Sequence, residues 1–210
     1  MEMPDGTRVV AHCPNTGSMK ACLHPGRRAL LWDSRNPTRK LRYTWKAIEA
    51  PSAWVGIDTL LPNRLAEAAI RAGRIPALAG FDKILREQRM GEHTRVDLVL
   101  EGSSGRCYVE VKNVTLVEDG IARFPDAVTA RGLKHLDGLA ARVAEGERAA
   151  MVYVVQRADG RRFEPAADID PAYAAGLRRA TEAGVEVYVL ATKVSPEGVE
   201  ATGLLPAEGI

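Results

Sequence analysis

Glu110 and Lys112 stand two positions apart in the apolar run Cys107-Tyr108-Val109-Glu110-Val111-Lys112, and a lone acid, Asp97, interrupts the earlier run Arg95-Val96-Asp97-Leu98-Val99-Leu100. Both runs have the length and β-branched content of strands. Side chains alternate along a strand, so Glu110 and Lys112 share a face about 6.6 Å apart, opposite Val109 and Val111. A hairpin through Gly102-Ser103-Ser104-Gly105 brings Asp97 alongside Glu110. Phosphodiester hydrolysis suits this group: Mg²⁺ or Mn²⁺ held by hard carboxylate oxygens makes an attacking water more acidic and neutralises a negative transition state. Asp97 and Glu110 are the expected ligands, with the backbone carbonyl of Val111; Lys112 would orient or help deprotonate the water and counter the developing charge. The same spacing also suits a plain cross-strand ion pair at a sheet edge.

Two helical stretches must stand beside these strands. Thr129 to Glu145 places Leu133, Leu136, Ala140 and Val143 on one stripe and Arg131, Lys134, His135 and Arg142 away from it, a basic wall for phosphates. Asn63 to Ala72 puts Asn63, Glu67 and Arg71 on one face, so Glu67 can add a further catalytic or metal-shell carboxylate. Either face also reads as the solvated side of an amphipathic helix.

Upstream, short strand-like pieces (8–11, 28–32, 41–48) alternate with turn clusters such as Pro14-Asn15-Thr16-Gly17-Ser18, the pattern of a small β-barrel or sheet. Net charge is +2, but residues 1–62 hold nine Lys and Arg against five Asp and Glu. Arg27, Arg28, Arg35, Arg39, Lys40, Arg42 and Lys46 are interleaved with Trp32, Tyr43 and Trp45. Cations neutralise phosphates and flat rings stack on unpaired bases, which suits a nucleic-acid groove; a solvated basic loop with core tryptophans is the plainer alternative. From Asn63 the order is helix, three strands, helix, strand, helix, strand, a mixed α/β sheet with helices on its faces. A β domain over 1–60 and an α/β domain over 61–210 are therefore expected.

No stretch approaches the ~20 apolar residues a membrane span needs, and no signal-peptide pattern opens the chain, so a cytoplasmic protein is expected. Cys13, Cys22 and Cys107 read as free thiols. His12, Cys13, Cys22 and His24 have zinc-ligand chemistry but not the usual paired spacing.

The order of helix, strand, strand with Asp, strand with Glu-x-Lys, helix and strand is similar to the PD-(D/E)xK restriction-endonuclease-like superfamily, with Asp97, Glu110 and Lys112 as motif and Glu67 at the position of its helical acid. Longer words are more specific. His12-Cys13-Pro14-Asn15-Thr16-Gly17-Ser18-Met19, Arg39-Lys40-Leu41-Arg42-Tyr43-Thr44-Trp45, Leu61-Pro62-Asn63-Arg64-Leu65, the run Tyr108 to Leu116 and Phe124-Pro125-Asp126-Ala127-Val128-Thr129 together resemble the sugar fermentation stimulation protein A family. That resemblance implies an OB-like β-barrel followed by a nuclease-like domain, DNA as partner, and a link to sugar-utilisation gene expression. It also implies some twenty-odd more residues before His12, so the expectation is that the start of the sequence is misplaced, that the barrel lacks its first strand, or that another chain, as in a homo-oligomer, fills the gap. The functional expectation is a DNA-binding protein with an Mg²⁺- or Mn²⁺-dependent endonuclease or exonuclease site. The alternatives are a non-catalytic DNA-binding regulator of sugar-metabolism genes and a phosphodiesterase acting on RNA or small nucleotides.

Overall fold

The computed structural model describes residues 1–91 and 94–210. Its N-terminal part is a four-stranded sheet of β1 (Ala11–His12), β2 (Ala29–Asp33), β3 (Tyr43–Glu49) and β4 (Trp54–Gly56). β3 is the hub: β2 runs antiparallel along one edge, while β1 and β4 pair with its two ends. The sheet is open where a barrel was expected, because β1 and β4 are only two and three residues long and carry too few ladder bonds to close it. Met19, Cys22, Ile48, Ala50, Val55 and Ile57 fill its core.

Then follow α1 (Leu61–Arg71), β5 (Lys83–Arg89), β6 (Arg95–Gly102), β7 (Gly105–Val114), β8 (Leu116–Glu118), β9 (Ile121–Phe124), α2 (Ala130–Ala144), β10 (Arg148–Val155), β11 (Arg162–Pro165), α3 (Pro171–Glu182), β12 (Glu186–Ser195) and β13 (Gly198–Leu205). Six of these strands form the main sheet, in the order β13-β12-β10-β7-β6-β5. β7, β10 and β12 are parallel, and the remaining neighbours are antiparallel. The apolar run read as a central strand is β10, buried on both faces between β7 and β12. α1 covers one face through Ala66, Ala69 and Ile70, and α2 and α3 cover the other through Leu136, Leu139, Tyr173 and Leu177. No described helix is long and apolar enough to cross a membrane, and all three cysteines are free.

Short polar features set the helix starts. Pro62 occupies the first turn of α1. The Thr129 side chain caps α2 at Gly132, and Asp170 caps α3 at Tyr173 while also accepting the Thr129 amide, so one carboxylate fixes both helix entrances. The N-terminal sheet docks through β4 where β10 ends and against β12. Gly56 donates its amide to the Gln156 carbonyl, and the Gln156 amide donates to the Asp58 carbonyl and to Asn113. A Cβ on Gly56 would fall 2.6 Å from Gln156 Oε1, so a larger residue there would have to displace the Gln156 side chain.

Candidate metal and nucleic-acid site

β6 and β7 form the expected hairpin. Gly102 pairs with Gly105 across a two-residue turn, and Gly105 has the positive φ that a turn this tight demands. The ladder ends at Leu98 opposite Val109, which makes Asp97 and Glu110 the next residues out. There the Asp97 side chain takes over: its Oδ2 accepts the Val111 amide at 2.8 Å, and its Oδ1 accepts Asn63 Nδ2 from α1 at 2.8 Å.

Glu110 points to the opposite helix layer and is buried, with 3% exposure. Its Oε1 accepts Lys112 Nζ at 2.6 Å and the ring of His135 through Nδ1. Arg131 Nε lies 3.4 Å from the other ring nitrogen of His135, an arrangement that suits a proton on Nδ1 facing the carboxylate. Glu110 Oε2 is buried and has no hydrogen-bond partner among the described residues. Burial and repulsion from Glu110 push the Asp97 carboxyl above the usual range. Burial would push Glu110 up too, but the His135 hydrogen bond and the Lys112 charge hold it below its ordinary value.

The residues singled out in the sequence are not all gathered here. Glu67 sits one turn along α1 from Asn63, with its oxygens taken by Arg71 and Arg86, and the Arg86 hydrogen bond first of all holds its carboxyl low. Val111 meets the site through its amide. His135, read as part of a basic surface, faces inward to Glu110, while Arg131 and Lys134 are exposed as expected. In the N-terminal sheet Arg28 pairs with Glu49 and Arg42 with Asp33, whereas exposed Arg27, Arg35 and Lys40 have no carboxylate partner among the described residues. Arg39 bonds Thr44 and sits over Trp32, which is half exposed; Arg42 sits over Tyr43. Trp45 instead packs on the N-terminal core and donates its indole to the Ala47 carbonyl. The zinc alternative finds no support: Cys22 is in that core, His24 bonds the Ala21 carbonyl, and no group of three metal-ligating side chains occurs among the described residues. Sequence reasoning missed Asn63 and His135 as partners of the two carboxylates; only the pairing of i, i+4 helix faces with specific strands reveals them.

It also missed a contact that joins the two halves. The loop after β1 reaches Asp126, whose Oδ2 accepts the Ser18 amide and hydroxyl at 3.0 and 3.2 Å.

Residues 2–57 match the family model described as the SfsA N-terminal OB domain, and residues 60–198 match the sugar fermentation stimulation protein RE domain. The sugar fermentation stimulation protein homolog of Geobacter sulfurreducens is 51% identical over 98% of this chain and 88% of its own length, and that of Thioalkalivibrio sulfidiphilus is 52% identical over 93% and 84%. A solved structure, that of Pyrococcus furiosus SfsA in complex with Ca²⁺, superposes with a TM-score of 0.86 at 32% identity, covering 94% of this chain and 85% of that one. The chain belongs to the sugar fermentation stimulation protein family, with an OB domain leading a mixed α/β domain.

Proposed function

We propose that this chain binds DNA and that Asp97 and Glu110 hold a divalent cation in a PD-(D/E)xK-like site. The observation that carries the reading is Glu110 Oε2, a buried carboxylate oxygen without a donor among the described residues, near the half-buried carboxylate of Asp97. A donor set of two hard carboxylates, with the Val111 carbonyl as a further oxygen, fits Mg²⁺ or Mn²⁺, which complete their shells with water and substrate phosphate. The relative solved with Ca²⁺ supports a cation site in this fold. When bound, the cation would polarise a phosphodiester and acidify a water. The protein's own part is positional: Asn63 and the Val111 amide fix Asp97, His135 fixes Glu110, and Lys112 supplies positive charge where the phosphate becomes more negative. Arg27, Arg35 and Lys40 on one side and Arg131 and Lys134 on the other hold backbone phosphates.

One observation favours a second reading, a non-catalytic DNA-binding regulator of sugar-metabolism genes: the Lys112 ammonium is engaged with Glu110. A single assay separates the two. Single-stranded, duplex and branched DNA are incubated with wild type and Lys112→Ala in Mg²⁺ or Mn²⁺. Cleavage by wild type that Lys112→Ala loses supports the nuclease reading; binding without cleavage by either supports the regulator.

A further inference from the structure

The geometry points to a pocket for one unpaired nucleobase at the end of β7, an assignment that rests on the DNA-binding reading. A cavity of about 190 Å³ opens between the loop after β1 and the main sheet, lined by Asn15, Thr59, Asn113, Thr115, Phe124 and Asp126. At ~30 Å³ per water it has room for roughly six waters. That falls below the ~300–1,000 Å³ of pockets for drug-sized ligands and suits a single small ring system.

The lining sets the chemistry of that ring. Asn15 Oδ1 accepts the Gly17 amide, and Asn113 Oδ1 accepts Gln156 Nε2, whose own orientation is fixed by the Asp58 carbonyl. A backbone amide only donates and a carbonyl only accepts, so both asparagines keep their NH₂ groups as donors, without a partner among the described residues. Asp126 uses Oδ2 for Ser18 and leaves Oδ1 as an acceptor. Arg123 also borders the cavity, but Glu118 and Asp168 already neutralise it. A phosphate would thus meet a carboxylate and, among the described residues, no free cation. A neutral planar group with acceptors and an N–H on one edge satisfies the set, with Phe124 as the apolar wall, and that is the edge a base presents once it leaves its pair. Asn113 directly follows Lys112, so the base pocket and the carboxylate site share one end of β7.

The test uses the full chain. Single-stranded and blunt duplex oligonucleotides are titrated by fluorescence anisotropy against wild type, Asn113→Ala and Thr59→Trp; Thr59 is exposed at the mouth, so the tryptophan plugs the pocket without entering the core. Single-strand affinity should fall about tenfold or more in both variants, the loss expected for one well-made base contact, while duplex affinity stays within about twofold. In parallel, the Asn15 and Asn113 side-chain amide resonances of wild type should shift on adding free nucleosides. Unshifted amides, or unchanged single-strand affinity in Thr59→Trp, overturn the pocket while leaving DNA binding intact. If wild type binds neither oligonucleotide yet its amides respond to nucleosides, the DNA reading fails and the pocket stands as a nucleoside site.

Discussion

Glu110 keeps one oxygen bonded and the other without a partner among the described residues, at 3% exposure. An unsatisfied buried polar group costs about 1–3 kcal/mol, and more when charged. The fold accepts that cost beside Asp97, whose own carboxyl is pushed up by burial and by Glu110. A cation between the two would offset both penalties. His135 sets which Glu110 oxygen stays bare, because its ring engages Oε1. Partners of metal ligands typically matter about 10–100-fold in affinity, so His135→Ala should weaken Mn²⁺ or Ca²⁺ binding by that order, and His135→Gln, which retains an N–H donor, should recover part of it. Calorimetric titration of the folded variants checks this; unchanged affinity in His135→Ala would show that the ring is only a packing group. Lys112 and Glu110 were legible in the sequence because strand alternation needs only two positions. His135 was not, since its place next to the buried stripe of α2 is compatible with either an inward or an outward ring.

At the scale of elements, the parallel core of β7, β10 and β12 is closed at one end by a side-chain clamp. Arg148 of β10 donates to both Glu186 oxygens of β12 at 2.8 Å and also reaches the Ala77 carbonyl. Burial pushes the Glu186 carboxyl up, but the Arg148 and Tyr188 hydrogen bonds outweigh it, so the folded value lies below the ordinary 4.5. A carboxyl depressed on folding contributes stability that is present above the unfolded value and lost as pH falls through the folded one. Urea midpoints followed from pH 6 downward should therefore fall below about 4.5 in wild type, and Glu186→Gln should flatten part of that fall. Identical pH profiles would deny the clamp any role. The long elements α2, β10 and α3 were readable because their periodicity and caps agree. β8, β9 and β11 escaped because three or four residues hold too little alternation, and β9 pairs with β11 in parallel across an intervening helix and strand. β13 escaped because Gly198 opens it and Gly203 interrupts it.

Across the whole molecule, exposed cations fall in two sets, Arg27, Arg35 and Lys40 in the N-terminal part and Arg131 and Lys134 on α2. Phosphate binding releases counterions, so log Kd should vary linearly with log salt, with a slope near 0.9 per phosphate contact on duplex DNA and near 0.7 on single strands. Replacing Arg27, Arg35 and Lys40 with serine should lower that slope by about one contact's worth for each residue that touches a phosphate, without shifting the melting temperature, since all three are exposed. A slope unchanged in the triple variant would remove the N-terminal sheet from the interface. The change of pattern near Leu61 was readable in the sequence, but the docking was not: Gly56 against Gln156 and Ser18 against Asp126 join residues about a hundred positions apart, and no local pattern announces such pairs.

The order of the main sheet leaves β5 as an outermost strand, and its side chains Lys83, Arg86, Glu87, Gln88 and Arg89 are all exposed. A flat apolar edge would invite another chain to add itself as a seventh strand. Here an incoming strand would have to desolvate a dense row of mixed charges before making its first backbone hydrogen bond. At the far side β13 is outermost, and the tail beyond it bonds to β11 of the small sheet, with Phe163 donating its amide to the Pro206 carbonyl and accepting that of Glu208. Charge at the β5 border thus works against end-to-end polymerisation of the sheet.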